Sequence, residues 1–117
     1  MNRRSVGRRY ETIACKILEG EGMSILARNF RTHEAEIDIV AEDGDVLVFV
    51  EVKYRRDASS GGPFMAVDKK KQERICRAAD VFLLAWHFPP DMPVRFDVMG
   101  FLGNRYKHMK NAFSYRR

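Results

Sequence analysis

Three ionisable residues near the middle of the chain, Asp38, Glu51 and Lys53, are of the types that phosphodiester hydrolysis uses. Two carboxylates can hold a Mg²⁺ ion, which orients a phosphate, draws charge from it and lowers the pKa of a bound water. A lysine beside them can stabilise the developing negative charge or orient the attacking water. A structural ion pair at the end of a strand would use the same residues, so the sequence leaves both interpretations open.

Two further glutamates bear on this choice. Glu36 precedes Asp38 by two residues. On one buried strand face these like charges would repel each other unless a cation joined them. Glu11 lies one position away from the apolar stripe of a predicted helix, where it could complete or support a metal site, or simply face solvent. The repulsion between Glu36 and Asp38 favours the metal site over the structural ion pair.

Charge is distributed unevenly along the chain, which has 21 Lys and Arg against 16 Asp and Glu. The segment 34–51 contains seven acids and no basic residue, whereas residues 1–9, 53–77 and 105–117 are rich in Lys and Arg. Basic segments suit a polyanion such as DNA or RNA, because neutralising its phosphates releases counterions. Carboxylates repel phosphates unless a cation lies between them. The pattern therefore predicts a nucleic-acid partner and a metal, although solvated faces would also carry such charges.

Length and composition restrict the class of protein. With 117 residues, 45% of them hydrophobic, the chain is expected to form a single domain over residues 1–117. Its apolar runs at 46–50 and 81–86 are far shorter than the ~20 residues of a membrane span. The basic N-terminus lacks the apolar stretch of a secretory signal. Cys15 and Cys76, in apolar helical contexts, are expected to be buried free thiols of a cytoplasmic protein without a membrane partner.

Hydrophobic periodicity predicts the elements that would position the ionisable residues. Helical spacing predicts one helix from Ser5, as its N-cap, to about Gly20 or Gly22. A second helix is expected over 67–87, with Trp86 in the core. Helices and strands in this order indicate an α/β or α+β sandwich. Strands are predicted at 23–30, 36–41, 45–54 and 94–101, and residues 104–113 could be a strand or a helical turn.

The Asp-Gly pair at 43–44 is a strong signal for a hairpin between the second and third strands. If these two residues form the turn, Asp38 lies opposite Phe49. Asp38 and Glu51 are then diagonal neighbours, with Cα atoms roughly 7–8 Å apart. Side-chain alternation places both acids and Lys53 on one face of the hairpin. The other face is wholly apolar and must pack against a helix; its residues are Ile37, Ile39, Ala41, Val46, Val48, Val50 and Val52.

Three segments resemble the YraN family of uncharacterised bacterial proteins: Arg-Asn-Phe-Arg at 28–31, Glu-Ile-Asp-Ile-Val at 36–40 and Phe-Val-Glu-Val-Lys-Tyr-Arg at 49–55. Further matches extend from the first helix to Asn-Ala-Phe at 111–113. That family is similar to the PD-(D/E)xK superfamily and, within it, to archaeal Holliday-junction resolvases. The resemblance implies an α/β protein with a restriction-endonuclease-like core, in which helices flank a mixed central sheet in the order α-β-β-β-α-β.

The resemblance also implies roles for individual residues. Asp38 corresponds to the first acid of the motif, Glu51 and Lys53 to its E-x-K, and Glu11 to the helical acid of the site. Ile37 stands where the motif often has proline. Asp38 and Glu51 would bind Mg²⁺, with Mn²⁺ as a substitute, and branched or structured DNA is the implied substrate. A homodimer is also implied, because resolvase-like folds act in pairs on symmetric junctions.

Basic and polar residues around the acids are candidates for nucleic-acid contacts. Lys71 or Gln72 could point to the site from the second helix, as polar residues do in related nucleases, or belong to a solvated turn. The sequence thus predicts a Mg²⁺-dependent endonuclease acting on DNA. A non-catalytic nucleic-acid-binding module and a protein–protein adaptor in DNA processing are the alternatives. The predicted nucleic-acid-binding residues are Arg8, Arg28, Arg31, Arg55, Lys71 and Gln72.

Overall fold

A computed structural model describes residues 3–56 and 67–115. Within these ranges five strands form one sheet in the order β1-β2-β3-β4-β5, where β3 and β4 are parallel and the other neighbours are antiparallel. The predicted α/β fold with a mixed sheet is confirmed, and the segment left open at 104–113 is a strand. Neither described helix combines the length and apolarity needed to cross a membrane. The elements are α1 Arg3–Gly20, β1 Ser24–Arg31, β2 Glu36–Asp43, β3 Val46–Arg55, α2 Lys69–Ala85, β4 Val94–Leu102 and β5 Arg105–Phe113.

Each helix covers one face of the sheet. Alternate residues of β3 belong to two separate apolar clusters, because successive strand side chains point to opposite faces. Cys15 and Cys76 are buried free thiols, one in each layer, as predicted. The α1 layer includes Ala14, Leu18, Ile39, Val48, Val50 and Met99. The α2 layer includes Ile75, Ala79, Phe82, Leu47, Phe49 and Phe96.

The hairpin between β2 and β3 turns one residue later than predicted. Asp43 pairs with Val46, so the two turn residues are Gly44 and Asp45. Gly44 has φ 61°, and glycine at the first central position is typical of a type II′ turn, whose twist suits a hairpin. The register moves by two residues, which preserves the facing of the side chains. Continued past the last pair, this register sets Asp38 opposite Glu51 rather than diagonal to it.

Strands β1 and β2 rotate together beside Asp38. Asn29 on β1 has φ 54°, a left-handed conformation that asparagine tolerates better than most residues. Arg28 on one side of it reaches Glu11 on α1, whereas Phe30 on the other side packs edge-on against Phe82 of α2. A regular strand would send residues 28 and 30 to the same face.

The partner strand β2 follows this rotation. Its pairing with β3 ends at Ile39 and Val50, and beyond that point the Val52 N–H donates to Asp38 Oδ2 at 2.8 Å. Ile37 packs in the α2 layer and Ile39 in the α1 layer, so the prediction that they share one face of the hairpin was wrong. Asp38 therefore lies where β2 separates from β3.

The helix ends differ from the sequence prediction in three places. Helix α1 begins before Ser5, so Ser5 is not its N-cap. Helix α2 begins at Lys69, and its N-cap is Asp68, whose Oδ1 accepts from the Lys71 N–H at 2.8 Å. Trp86 follows the last residue of α2 and is 44% exposed, stacked on Phe82 rather than enclosed in the core. Local sequence propensity does not show whether the rest of the chain will bury a residue at the end of a helix.

Candidate functional site

Three carboxylates from two elements meet beside the point where β2 separates from β3. Glu11 projects from α1, and Glu36 and Asp38 project from β2; one oxygen of each lies within 4.8 Å of the others. The structure thus brings together two predicted site residues, Glu11 and Asp38. Glu36 was outside the predicted catalytic set, although its like charge near Asp38 pointed to it. We call these three residues the acidic cluster.

Glu11 is the most enclosed member of the acidic cluster, with 9% of its surface exposed. Its Oε1 is buried and has no hydrogen-bond partner among the residues that the structure describes. The nearest guanidinium nitrogen, Arg28 Nη2, lies 3.8 Å away, too far for a hydrogen bond. Burial raises the pKa of Glu11, against a hydrogen bond with Asn29 and the charge of Arg28. A buried acceptor without a donor costs about 1–3 kcal/mol, so this oxygen is poised to accept a ligand.

Asp38 is affected most strongly by its surroundings. Burial and the charge of Glu51 raise the pKa of Asp38 to about 8, against the hydrogen bond from the Val52 N–H. Glu11 and Glu36 raise it further by repulsion. Without a cation, Asp38 therefore holds a proton at neutral pH. A divalent cation among these carboxylates would reverse that preference and favour the ionised form.

Glu51 and Lys53 lie two residues apart on the face of β3 that turns toward α2. Glu51 is 12% exposed in its side chain, and its Oε1 lies 3.1 Å from Lys71 Nζ. Burial lowers the pKa of Lys53, against the opposing effect of Glu51. The ammonium of Lys53 is thus partly desolvated, and it interacts electrostatically with the carboxylate of Glu51.

The acids are accessible to solvent from both faces of the sheet. One cavity of about 460 Å³ on the α1 side is lined by the whole acidic cluster together with Arg8 and Arg31. A second of about 480 Å³ on the α2 side is lined by Glu36, Asp38 and Glu51. Asp38 and Glu36 line both cavities. The second cavity also has basic walls, formed by Lys70, Lys71 and Arg74.

Of the six predicted nucleic-acid-binding residues, three lie at these cavities. Arg8 is exposed on the α1 side. Arg31 is paired with Glu36 at 3.4 Å, with 76% of its side chain exposed. Lys71 is paired with Glu51. Lys70 and Arg74 were not predicted; the available signal was that Arg74 follows Lys70 by four residues and Lys71 by three, which is the spacing of neighbours on a helix surface.

The other three make local contacts. Arg28 Nη2 donates to Thr12 Oγ1 at 3.0 Å on α1. The Gln72 amide donates to the Val67 carbonyl at 2.7 Å, which supports the start of α2 and directs the side chain away from the acids. Arg55 Nη1 donates to the Tyr54 carbonyl at 2.7 Å, and Arg55 is otherwise exposed.

A second buried acid, Asp97 on β4, has the opposite surroundings. Its carboxylate accepts from Arg95 Nε and Nη2 at 2.9 and 3.0 Å, and from the Asn111 N–H at 3.0 Å. His108 Nε2 lies 2.7 Å from its Oδ2. Burial alone would raise the pKa of Asp97, but the hydrogen bonds outweigh it, and the pKa is lowered. This site is saturated with donors, which is typical of a structural acid.

Comparison with known proteins places the chain in a family. The model of the uncharacterised protein family UPF0102 matches residues 10–101. This range contains the whole acidic cluster and also Glu51 and Lys53. The chain belongs to the UPF0102 family. The predicted membership of an uncharacterised bacterial family is therefore confirmed.

Full-length relatives support the same assignment. A UPF0102 protein of Lachnoclostridium phytofermentans is 44% identical over 97% of this chain and 96% of its own length. UPF0102 proteins of Pseudomonas putida and Herminiimonas arsenicoxydans are 40% and 41% identical over 93% and 94% of this chain, and over 93% and 87% of their own lengths. Their names state the family and no activity.

Proposed function

We propose that this protein is a divalent-cation-dependent endonuclease that hydrolyses DNA phosphodiesters, with a restriction-endonuclease-like core of the PD-(D/E)xK type. The observation that carries this proposal is the buried, unbonded Oε1 of Glu11 beside the carboxylates of Glu36 and Asp38. The three carboxylates repel one another when they are ionised, and the Glu11 oxygen is costly to bury without a donor. A cation would relieve both penalties together.

The residues present suit Mg²⁺ or Mn²⁺. All the candidate ligands are carboxylate oxygens, which these hard cations prefer, and no sulfur or imidazole lies in the acidic cluster. Asp38 would be the central ligand, with Glu11 and Glu36 beside it and Glu51 facing it from β3. Bound there, the cation would polarise the phosphate and lower the pKa of a coordinated water.

The remaining side chains have complementary tasks. Lys53 presents three N–H donors from a partly desolvated ammonium, which can stabilise charge on a non-bridging phosphate oxygen. Arg8 and Arg31 on one side of the acids, and Lys70 and Arg74 on the other, can contact phosphates to either side. Basic side chains therefore border the acids on both faces of the sheet.

One observation favours a second candidate, a nucleic-acid-binding module without catalysis. Lys71 already neutralises Glu51 at 3.1 Å, and the raised pKa of Asp38 favours its protonated form when no cation is bound. The charges of the site can therefore be balanced with no metal present. In that case the basic borders would bind phosphates and the acids would only shape the surface between them.

Cleavage assays distinguish the two candidates. We would incubate labelled four-way junction, duplex and single-stranded DNA with Mg²⁺ or Mn²⁺ and compare the wild type with Asp38→Asn and Lys53→Ala. We expect both substitutions to lower the cleavage rate by about 100-fold or more, because Asp38→Asn removes a ligand of the cation and Lys53→Ala removes a positive charge that would stabilise the reacting phosphate. Glu42→Gln is the matched control, since Glu42 is a half-buried acid at the far end of β2.

Three outcomes would contradict the nuclease proposal. Cleavage that survives in Asp38→Asn, or that Glu42→Gln lowers equally, would show that the acidic cluster does not carry the reaction. Cleavage that continues in excess EDTA would exclude the cation. Absence of cleavage by the wild type, with binding that weakens as salt increases, would support the binding module instead.

A further inference from the structure

A third cavity, of about 790 Å³, opens beside the acidic cluster. Ligand sites commonly have volumes of roughly 300–1,000 Å³. Its walls come from α1 and from the end of β3, and it shares Gly7 and Glu11 with the cavity that the acidic cluster lines. We infer that it binds the base of an unpaired nucleotide adjacent to the scissile phosphate. The position of this base next to a scissile phosphate rests on the proposed function; the base-binding site itself does not.

Aromatic rings form one wall of this cavity. Tyr10 and Tyr54 are stacked, with ring centroids 4.1 Å apart and planes 24° apart. Tyr10 is supported from β4 by Phe101, at a centroid distance of 5.1 Å. The rings are therefore held in place before any ligand binds. Stacking on aromatic side chains suits every base, because each base has a π-face.

Gly7 keeps the cavity connected to the acids. Gly7 and Glu11 are one helical turn apart on the same side of α1, about 6 Å along the axis, which is the scale of one nucleotide. A Cβ at Gly7 would meet no atom within 4 Å, so this position opens into free space. A base in the cavity and a phosphate at the acidic cluster can therefore belong to neighbouring units of one strand.

Charge and shape together select an unpaired nucleotide. Arg55 and Arg56 are exposed and line the cavity, where they can meet the phosphates that flank a base. A paired base keeps its hydrogen-bonding edge against its partner inside the duplex, so it cannot enter a recess between a helix and a sheet unless it leaves the stack. Bulges, branches and single strands supply bases that are already free.

The test measures binding in EDTA, so that it does not depend on cleavage. The probes are a labelled DNA duplex with one bulged nucleotide and the same duplex with an abasic residue at the bulge, each paired with an RNA counterpart. We expect the wild type to bind the bulged base about tenfold or more tightly than the abasic bulge. The RNA pair determines which nucleic acid supplies the base.

Two variants and one control locate the effect. Gly7→Leu fills the opening while leucine favours the helix more than glycine does, so this variant is expected to fold. Tyr54→Leu removes the stacking ring. Both should abolish the preference for the bulged base over the abasic bulge. Tyr106→Leu, which removes a 53% exposed ring outside the cavity, should retain it. Circular dichroism confirms that each variant is folded.

The inference and the proposed function fail in different ways. Equal affinity of the wild type for the bulged base and the abasic bulge, or a preference that survives in folded Gly7→Leu, would overturn the base-binding site. Cleavage that requires Asp38 would then still support the nuclease. A preference that Gly7→Leu abolishes supports the base site, even if the wild type cleaves no DNA.

Discussion

Asp38 and Asp97 are carboxylates shielded from water in the same sheet, yet their environments shift their pKa values in opposite directions. Burial raises the pKa of Asp38 to about 8, with the charge of Glu51 adding to the effect. Burial acts on Asp97 too, but hydrogen bonds from its neighbours lower its pKa overall. The difference lies in the number of donors and in the sign of the nearby charge, since both side chains are removed from solvent.

Asp97 shows how this fold satisfies a buried acid that has a structural task. A bidentate guanidinium, an imidazole and a backbone N–H surround it, so each oxygen has a partner. Asp38 accepts from the Val52 N–H and otherwise faces the carboxylates of Glu11, Glu36 and Glu51. A site that holds several acids together with few hydrogen-bond donors is unfavourable for the folded protein unless a ligand compensates the repulsion between the acids. This contrast is why we propose a functional role for Asp38 and a structural role for Asp97.

The largest expected effect on stability is that of Asp97→Asn. The amide cannot balance the charges of Arg95 and His108, and Arg95 would keep only Asp43, at 3.0 Å, as a charged partner among the described residues, so we expect the free energy of unfolding to fall by about 3 kcal/mol. Urea unfolding at pH 7 measures this. Asp45→Asn, in the exposed turn, is the control and should change stability by less than about 0.5 kcal/mol. A loss below about 1 kcal/mol for Asp97→Asn would remove the structural half of the contrast.

Asp38→Asn is expected to have the opposite sign. The folded pKa of about 8 lies above the unfolded value of 3.8, so the folded protein retains a proton that the unfolded chain loses between these values. The contribution of Asp38 to stability is therefore present below pH 4 and is lost as the pH rises to about 8. Relative to the wild type, the variant should gain roughly 1–3 kcal/mol between pH 4 and pH 9 without divalent cations.

Urea unfolding of both proteins in EDTA across this pH range checks that expectation. Added Mg²⁺ should then stabilise the wild type at pH 9 and leave Asp38→Asn unchanged, because the cation needs the ionised carboxylate. If the difference in free energy of unfolding between the two proteins stays constant from pH 4 to pH 9, the fold does not raise the pKa of Asp38.

The smallest expected effect concerns His108, next to Asp97. Burial alone would lower the pKa of His108, but hydrogen bonds with Asp97 and Glu21 outweigh it and raise the pKa above 6.5. The stability that charged His108 contributes is fully present below its unfolded pKa and is lost as the pH rises through the folded value. His108→Gln should therefore lower the free energy of unfolding by more at pH 6 than at pH 9. Equal costs at both pH values would show that the fold does not raise the pKa of His108.

Much of the architecture was predictable because apolar periodicity reports directly on burial. The apolar run at 46–50 and the helical stripe that includes Ile75 and Leu83 identified strand and helix without tertiary information. The hairpin register was not predictable in the same way. Turns at 43–44 and at 44–45 leave the same side chains on each face, so the hydrophobic pattern cannot choose between them. Only the later turn pairs Ile39 with Val50, the last pair before Asp38 and Glu51.

The sequence predicted which residue types form the candidate site, but it did not predict which of the acids lie close together. Asp38 and Glu51 were predicted as the metal-binding pair, whereas the close carboxylate group consists of Glu11, Glu36 and Asp38. The left-handed Asn29 rotates β1 and β2 together at this point, and nothing in strand alternation shows such a rotation. Gln72 illustrates the same limit, because its bond to the Val67 carbonyl is decided by the geometry of the helix start.

The sequence by itself determined the two apolar layers, the unequal distribution of charge and the identity of the ionisable residues, since these depend on side-chain type and local spacing. Tertiary structure decided which acids share a space, which of them are desolvated and which basic residues reach them. Glu11 and Asp38 are 27 positions apart in the chain and meet only because α1 packs across the rotated strand. Burial and electrostatic coupling are properties of such assembled neighbours, and for this reason Asp38 and Asp97 differ in the fold although they are the same residue type.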